Sequence, residues 1–526
     1  MSSNYTPIVA RLEGVTPIAG ADRVVSATAS GYTLVVGSDH KEGELGVVFP
    51  AEGVLDLAFA EHASVLREHP VTGAKLDGYL DNPPRIRCLT IRGVKTGALW
   101  LPLDVAIRAM WSAFPSHFGL TTASKPIADL AEGDAIEELT GVDAQGAAVK
   151  PVHVARKYMP PPEQRVREKQ PRDASPENRK RREYRKAVRV AMPEHYNTPP
   201  AQRAVNSIPY GSSVRATEKL HGTSGMTARR RLPLNAVKRA INRLGSLVGR
   251  QPFAVTEVVA GTRRTVIMPD GKLDPLVFGN IKPIKFDERH DIRDAIGPRL
   301  LPGEVVYFEI VGYYKSGKPI QKHTCAEKGA ETKAIRAQFG ADIPYAYGCV
   351  PDGVEMGPAN APAQAEWPAD AVAKWRAPRY RVFVYRITQD GKELPFELMR
   401  KRALELSLEV PPVLGQWRHL EPGATHVRSD GLTDEELFAR HRAANKETLR
   451  RAQELAEGKG GLLPSIIDPR TPREGVVLRA DSGEYVGATH VVCKYKAHGF
   501  GVLEGYAKDR GEVDVEEEDA DAEAEA

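Results

Sequence analysis

Cysteine is scarce in this chain, and its scarcity argues against two kinds of cross-linked protein. The 526 residues include 4 cysteines, Cys88, Cys325, Cys349 and Cys493, which lie far apart and are not interleaved with histidines at metal-ligand spacing. Neither a disulfide framework nor a structural zinc site is therefore expected. Widely spaced, unpaired thiols are typical of the reducing cytoplasm, so we expect a cytoplasmic protein.

Long apolar runs are lacking as well. A membrane-spanning helix needs roughly 18 or more consecutive apolar residues, and the sequence has no such run. The opening residues, MSSNYTPIVARLEG, do not show the basic-then-apolar order of a signal peptide. The sequence therefore predicts a protein without a membrane segment.

The charge of the chain is unevenly distributed. The formal net charge is only +4, but residues 151–190 are basic and rich in proline, whereas residues 506–526 are strongly acidic. Both stretches are poor in large apolar residues, so they bury too little surface to offset the entropy cost of ordering. We predict a basic linker at 151–190, an acidic disordered tail at 506–526 and an irregular surface insertion at 351–377.

The remaining sequence predicts a multidomain fold. Residues 1–110 contain the short β-rich runs VVSATA, YTLVVGS, GELGVVFP and ALWLPLD, separated by turn residues. This rhythm fits an N-terminal all-β OB-fold barrel, followed by a partly helical extension at 111–150. Residues 191–505 mix strand-like runs (VYFEIVGYY, RVFVYRI, GVVLRA) with helical ones (ELPFELMRKRALELS, DEELFARHRAANKETLRRAQELAEG). That mixture, without regular βαβ spacing, predicts an α+β domain with antiparallel sheets.

A lysine in a compact polar turn is the first candidate for chemistry. The segment Thr217–Ser224, TEKLHGTS, places Lys219 at the end of an apparent strand and Gly222 where a ligand can approach the backbone. Alone, such a segment is most simply a surface loop. A lysine is a nucleophile only when it is neutral, which requires burial or neighbouring cations to lower its pKa. Further charged groups are therefore expected downstream.

Three downstream segments supply such groups. Glu309 lies within the apolar run YFEIVG, Glu474 directly precedes the run GVVLR, and Lys494 and Lys496 lie two residues apart in VVCKYK. Residues two apart in a strand share one face of the sheet. Each segment alone is also typical of a solvated strand edge.

In this order, the segments resemble the motifs of the covalent nucleotidyltransferases, the superfamily of polynucleotide ligases and mRNA capping enzymes. The segment around Lys219 resembles motif I, and those around Glu309 and Glu474 resemble motifs III and IV. Lys494 and Lys496 fall in motif V, and residues 379–385 lie where motif IIIa is expected. The resemblance identifies residues 191–505 as an adenylyltransferase domain.

Two features make the chain most similar to RNA ligases of the Deinococcus type. Most DNA ligases and capping enzymes have aspartate two residues after the nucleophile, whereas this chain has His221. The predicted OB-fold domain precedes the catalytic domain, as in that group, and residues 16–23 and 309–321 are also similar to it. The resemblance covers residues 1–110 and 190–505.

The resemblance implies roles for individual residues. ATP would donate AMP to Lys219, Mg²⁺ (or Mn²⁺) would bind at Glu474, and Glu309 would hold the ribose. His221 would assist a later step, and Tyr385 would either stack on adenine or be an ordinary sheet residue. The remaining nucleotide contacts would come from Glu218, Gly222, Lys494, Lys496 and an essential arginine that is either Arg263 or Arg264.

The resemblance also implies a substrate. The expected partner is a nicked duplex that carries RNA on the 3′-hydroxyl side of a 5′-phosphate/3′-hydroxyl nick, and a monomer is favoured. Two other classes stay open: a different covalent nucleotidyltransferase, either a DNA ligase or a capping guanylyltransferase, and a non-catalytic OB-fold protein that binds nucleic acid.

Overall fold

A computed structural model describes most of the chain. The described residues are 5–160, 198–231, 234–250, 253, 255–262, 266–267, 287–326, 329–351, 378–426, 432–458, 461–481 and 490–512. Arg263 and Arg264, most of the predicted basic linker and insertion, and the tail beyond residue 512 lie outside these ranges. Within them, no helix has both the length and the apolar composition that crossing a bilayer requires.

The N-terminal part, residues 5–158, consists mainly of short strands. Its elements are β1 (Ile8–Arg11), β2 (Glu13–Pro17), β3 (Val24–Ala29), β4 (Tyr32–Gly37), β5 (Leu45–Pro50), β6 (Gly53–Leu55), α1 (Leu57–His62), β7 (Leu89–Ile91), β8 (Val94–Thr96), β9 (Ala98–Pro102), α2 (Leu103–Ala113), β10 (Phe118–Thr121), β11 (Thr140–Val142) and β12 (Ala155–Lys157). They form two three-stranded sheets, β1-β5-β9 and β2-β3-β4, and three strand pairs. Since these described sheets do not close into a barrel, the predicted OB-fold barrel is not confirmed.

Strand β5 is the centre of the N-terminal core because it is buried on both faces. Val47 and Phe49 point into a cluster that includes residues of α1 and α2, whereas Val48 points into a cluster shared with β3 and β4. Burial on both faces explains its continuous apolar sequence. The first cluster also contains Leu120 and Leu139, so residues predicted as a separate extension at 111–150 pack into this same core.

The second part of the chain carries two larger antiparallel sheets, as predicted for residues 191–505. Its elements are α3 (Ala201–Ala204), β13 (Ser213–Lys219), β14 (Thr223–Arg231), α4 (Ala236–Ser246), β15 (Thr256–Gly261), β16 (Val266–Ile267), α5 (Asp287–Ile296), β17 (Glu304–Gly312), β18 (Lys322–Thr324), α6 (Ala330–Phe339), β19 (Asp342–Pro344), β20 (Tyr380–Gln389), β21 (Lys392–Glu393), α7 (Phe396–Glu405), β22 (Val413–Arg418), α8 (Asp434–Glu457), β23 (Gly475–Asp481), β24 (His490–Lys496) and α9 (His498–Asp509). One sheet has the order β22-β13-β23-β24 and the other β16-β15-β14-β17-β20-β21.

Local sequence explains where the two predicted helices begin. Helix α8 starts after Thr433, whose hydroxyl accepts a hydrogen bond from the Glu436 backbone N–H, while the Glu436 carboxylate accepts one from the Thr433 backbone N–H, forming a capping box. Helix α7 follows Pro395, which cannot donate a backbone hydrogen bond and is tolerated at a helix start. The last helix, α9, extends to Asp509, so the first residues assigned to the acidic tail are helical.

Ion pairs hold the N-terminal part against the second part. Arg203 on α3 donates to Glu137 at 2.6 Å and to Thr6 at 2.9 Å. On α8, Arg442 and Lys446 each lie 3.0 Å from Glu13. The two parts are therefore docked through charged side chains, which are sensitive to salt.

The chain crosses between the two large sheets in one short turn. It leaves one sheet at Lys219 and enters the other at Thr223, so Gly222 lies where the sheets meet. A Cβ atom at Gly222 would overlap the carbonyl oxygen of Ile310 and lie 2.8 Å from Val311 Cγ1 on β17. The sequence predicted close approach of a ligand at Gly222, and the group that packs there is the backbone of β17.

We expect Gly222→Ala to lower the free energy of unfolding by ~1–3 kcal/mol, because the added methyl group must push β14 and β17 apart. Gly505→Ala in α9 is the matched control, since no atom lies within 4 Å of its added Cβ. It should be neutral or stabilise by up to ~1 kcal/mol, because alanine favours a helix. Urea unfolding of both variants checks this, and equal effects would contradict the packing explanation.

Candidate functional site

Lys219 lies at the floor of a cavity between the two large sheets. Along β13, Val214, Ala216 and Glu218 are buried while the residues between them are partly exposed. This alternation is that of a strand with one face in the core, and it directs Lys219 towards the cavity. The cavity has a volume of about 170 Å³. Among the predicted site residues it is lined by Glu218, Lys219, Glu309, Tyr385 and Lys494.

Strand pairing brings the charged groups together. Lys219 is opposite Gly475 on β23, which directly follows Glu474, and Val477 on β23 is opposite Lys494 on β24. The Lys219 ammonium lies 2.6 Å from Glu474 Oε1. Because the Glu474 side chain is only 4% exposed, this ion pair is shielded from water and is stronger than a surface pair.

The second oxygen of Glu474 is available to a ligand. Glu474 Oε2 is buried and has no hydrogen-bond partner, and the imidazole nitrogen Nδ1 of His221 lies 3.6 Å away. No group of three or more His, Cys, Asp or Glu side chains in the described ranges is arranged to hold a metal ion. A single buried carboxylate fits Mg²⁺, which keeps several waters and binds through one or two carboxylates together with substrate phosphates.

The pKa of Lys494 lies well below its usual value. Burial, and then the charges of Lys496 and Lys219, lower the pKa of Lys494 to about 7. A cluster of ammonium groups at one end of a cavity requires an anion for full protonation. The arrangement of Lys219 and Lys494 is thus suited to a phosphate group.

Glu309 fixes the turn that follows Lys219. Its carboxylate accepts a hydrogen bond from the Gly222 backbone at 3.0 Å and another from the Ser224 hydroxyl at 3.3 Å. Ser224 is directly opposite Glu309 in the pairing of β14 with β17. Glu309 therefore positions the turn as well as lining the cavity, while its predicted ribose contact stays a prediction.

A β-bulge presents Tyr385 to the cavity. In the pairing of β17 with β20, Phe308 is opposite Val384 but Tyr307 is opposite Arg386, so Tyr385 is the extra residue. Bulges change the direction of a side chain and are frequent beside active sites. Tyr385 lines the cavity but also packs against the buried cluster that contains Val305 and Tyr307, so its location does not separate the two predicted alternatives, an adenine contact and an ordinary sheet position.

Glu218 lies on the core side of β13. Its carboxylate accepts a hydrogen bond from the Ile466 backbone at 3.2 Å and lies 4.0 Å from Arg473. Burial raises the pKa of Glu218. The observed contacts hold the loop before β23 in place, and the predicted nucleotide contact of Glu218 is not tested by them.

Lys496 is not at the cavity that contains Lys219. Its ammonium lies 2.8 Å from Glu52 of the N-terminal part and 2.8 Å from Glu504 of α9. It lines a second cavity, of about 160 Å³, between the two parts of the chain. Lys494 lines both cavities, and the predicted phosphate contact of Lys496 stays a prediction.

His221 belongs to an aromatic cluster that sequence reasoning missed. Its ring stacks on His323 with centroids 5.4 Å apart and contacts Tyr345 and Phe500 edge-on. His323 Nδ1 lies 2.8 Å from the Tyr345 hydroxyl. Burial, and then the nearby charge of His221, lower the pKa of His323 to about 3, so His323 packs against His221 in its neutral form. No sequence motif marks His323, because its partners come from distant segments.

Comparisons with known proteins add little. No protein-family model and no curated protein matches the chain. Similar solved structures include RNA ligase variants from Naegleria gruberi: one with AMP and Mn is 14% identical, with a TM-score of 0.46, covering 95% of this chain and 99% of that one. Another with ATP and Mn is 13% identical, with a TM-score of 0.45 and the same two coverages. We base no conclusion on likenesses at this level.

The pKa of Lys494 predicts how phosphate binding depends on pH. Above about pH 7 the free site loses the Lys494 proton, and binding a phosphate must take it up again. Affinity for an uncleavable ATP analogue should therefore fall as pH rises from 7 to 8.5, by at most ~10-fold per pH unit. Lys494→Arg keeps its charge and should flatten this dependence. Calorimetric titration of the unmodified protein and of Lys494→Arg with the analogue measures both affinities over this pH range. Parallel pH profiles of the two proteins would contradict the predicted role of the Lys494 proton.

Proposed function

We propose that this chain is an ATP-dependent RNA ligase that forms a lysyl-AMP on Lys219. The observation that carries the proposal is that Lys219 and Lys494 line one cavity and that the Glu474 carboxylate lies 2.6 Å from the Lys219 ammonium. A lysine nucleophile, a buried carboxylate with one unpaired oxygen and a second ammonium group form the set that nucleotidyl transfer needs. The sequence resemblance to RNA ligases supplies the reaction class.

In the first step, the Lys219 amine attacks the α-phosphate of ATP. A nitrogen–phosphorus bond forms, the bond to the departing pyrophosphate breaks, and the amine loses a proton. Lys494 neutralises charge on the α-phosphate. Catalysis of this step requires mainly positioning of the reactants and electrostatic stabilisation of the transition state, as in phosphoryl transfer generally. Tyr385 is placed to contact the base, and Glu309 keeps the turn after Lys219 in position for the ribose.

Glu474 is the proposed site of Mg²⁺ (or Mn²⁺). A divalent cation there would neutralise phosphate charge in the transition state. Glu474 Oε1 forms an ion pair with Lys219, so the carboxylate would link the nucleophile to the metal site. This carboxylate therefore has two roles, positioning the amine and binding the cation.

In the later steps, AMP moves to a 5′-phosphate end and a 3′-hydroxyl displaces it, which joins the strands and releases AMP. The proposed substrate is a nicked duplex with RNA on the 3′-hydroxyl side. His221 is placed to assist because its ring lies between Glu474 and His323. The N-terminal part would grip the duplex, and the predicted basic linker would add phosphate contacts.

The alternatives differ in what they require of the site. A non-catalytic nucleic-acid-binding protein has no need for Lys219, Glu474 and Lys494 to converge, and their convergence argues against that class. A capping guanylyltransferase would use GTP, and a DNA ligase would join an all-DNA nick. Labelling with GTP and sealing of an all-DNA nick distinguish these two classes from the proposed RNA ligase.

Incubation with α-labelled ATP and Mg²⁺ should leave label on the denatured chain, and α-labelled GTP should not. Lys219→Ala should abolish labelling because the nucleophile is gone, and Lys219→Arg should abolish it because guanidinium stays protonated. The exposed Lys238 on α4 provides a control, Lys238→Ala, that should label normally. Labelling of Lys219→Ala would place the nucleophile elsewhere, and preferential labelling by GTP would favour a capping enzyme.

The substrate is tested with nicked duplexes that differ only in whether the strand that carries the 3′-hydroxyl is RNA or DNA. Sealing should be fastest when its last nucleotides are RNA and slowest when the duplex is all DNA. A nick whose 5′-end lacks a phosphate is the negative control, since the transfer of AMP requires a 5′-phosphate as acceptor. Equal sealing of RNA and DNA nicks would reject the RNA preference while leaving lysyl-AMP formation intact.

A further inference from the structure

The contact between Glu52 and Lys496 joins the N-terminal part to the strand that carries Lys494. Glu52 lies in the turn after β5 with a backbone φ of 72°, a left-handed conformation that is uncommon outside glycine. From there its carboxylate reaches Lys496 at 2.8 Å and Lys157 at 3.5 Å. Glu504 of α9 is the second carboxylate on Lys496, also at 2.8 Å.

This contact is adjacent to the candidate nucleotide cavity. The cavity between the two parts is lined by Glu52, Lys496 and Lys494, and Lys494 also lines the cavity of Lys219. Residues 494 and 496 lie on the same side of β24, one strand repeat apart. A phosphate group bound beside Lys494 is therefore close enough to attract the ammonium of Lys496.

Glu52 is a charged competitor for that ammonium. Burial and the neighbouring Glu504 raise the pKa of Glu52, but Lys496 and Lys157 outweigh them, so the pKa of Glu52 lies below its usual value. The carboxylate is therefore ionised at neutral pH. An ATP polyphosphate, with several negative charges, and the Glu52 carboxylate compete for the same cation.

We propose that Glu52 is a positioning residue that holds Lys496 away from the nucleotide cavity while the N-terminal part is docked, so that ATP phosphates and Glu52 compete for Lys496. The proposal rests on the proposed function, since it takes ATP as the ligand. Binding linkage is reciprocal, so ATP weakens the contact between Glu52 and Lys496 to the same extent that this contact weakens ATP binding.

The interface offers a matched control for this idea. Glu13 also bridges the two parts, through Arg442 and Lys446 on α8, but it does not contact Lys496. Glu13→Gln therefore removes an interface charge of the same kind without removing a competitor for Lys496. If Glu52 only stabilised the interface, Glu52→Gln and Glu13→Gln would change the half-saturating ATP concentration to the same extent.

The test measures the rate of self-labelling by α-labelled ATP over a range of ATP concentrations in the full chain. Glu52→Gln should lower the ATP concentration that gives half the maximal rate by at least about fivefold, the lower end of typical coupling between sites, and leave the maximal rate within about twofold. Glu13→Gln should leave both values unchanged. An unchanged half-saturating concentration in Glu52→Gln, or the same decrease in Glu13→Gln, would overturn the proposal.

A second variant keeps the test decisive if Glu52→Gln does not fold. Glu52→Asp retains the charge but shortens the side chain, and aspartate adopts left-handed backbone readily. It should lower the half-saturating ATP concentration by a smaller factor, and no decrease would count against the proposal. Absence of labelling in the unmodified chain would instead reject the proposed function, so the two failures are distinguishable.

Discussion

The ion pair between Lys219 and Glu474 is the contact on which the candidate site depends. It exists because β13 pairs with β23, which places the residue before β23 beside the last residue of β13. The Glu474 carboxylate is buried, so its ion pair with Lys219 is stronger than a surface pair. Lys494 joins it from the next strand, and the tight turn at Gly222 brings in Glu309 from the second sheet. The candidate site therefore lies at a junction of two sheets, where four separate segments meet.

The sequence predicted these segments well because each carries a local pattern. A charged residue at the end or in the middle of an apolar run is visible without knowledge of the fold, and the antiparallel α+β domain followed from the same runs. Helix α8 was predictable for a similar reason, since its capping residues lie in the same short stretch as its apolar positions.

Features that depend on pairing between distant segments were not predictable. The bulge that turns Tyr385 into the cavity arises from the register of β20 against β17, and strand alternation alone assigns that residue no special direction. His323 lies behind His221 only because β18 packs beside α9. The family resemblance assigned Lys496 to the nucleotide, and its contact with Glu52 was not visible because Glu52 belongs to another part of the chain. The small sheets of the N-terminal part likewise depend on long-range pairing, and their barrel closure stays a prediction.

The central claim is that Lys219 is the residue that carries AMP. Tandem mass spectrometry of peptides from the ATP-treated chain tests it most directly, because it reports the modified residue without any substitution. The account predicts AMP on the peptide that contains TEKLHGTS, with fragment ions that place it on Lys219. AMP located on Lys494 or Lys496, or on a peptide outside this cavity, would contradict the account.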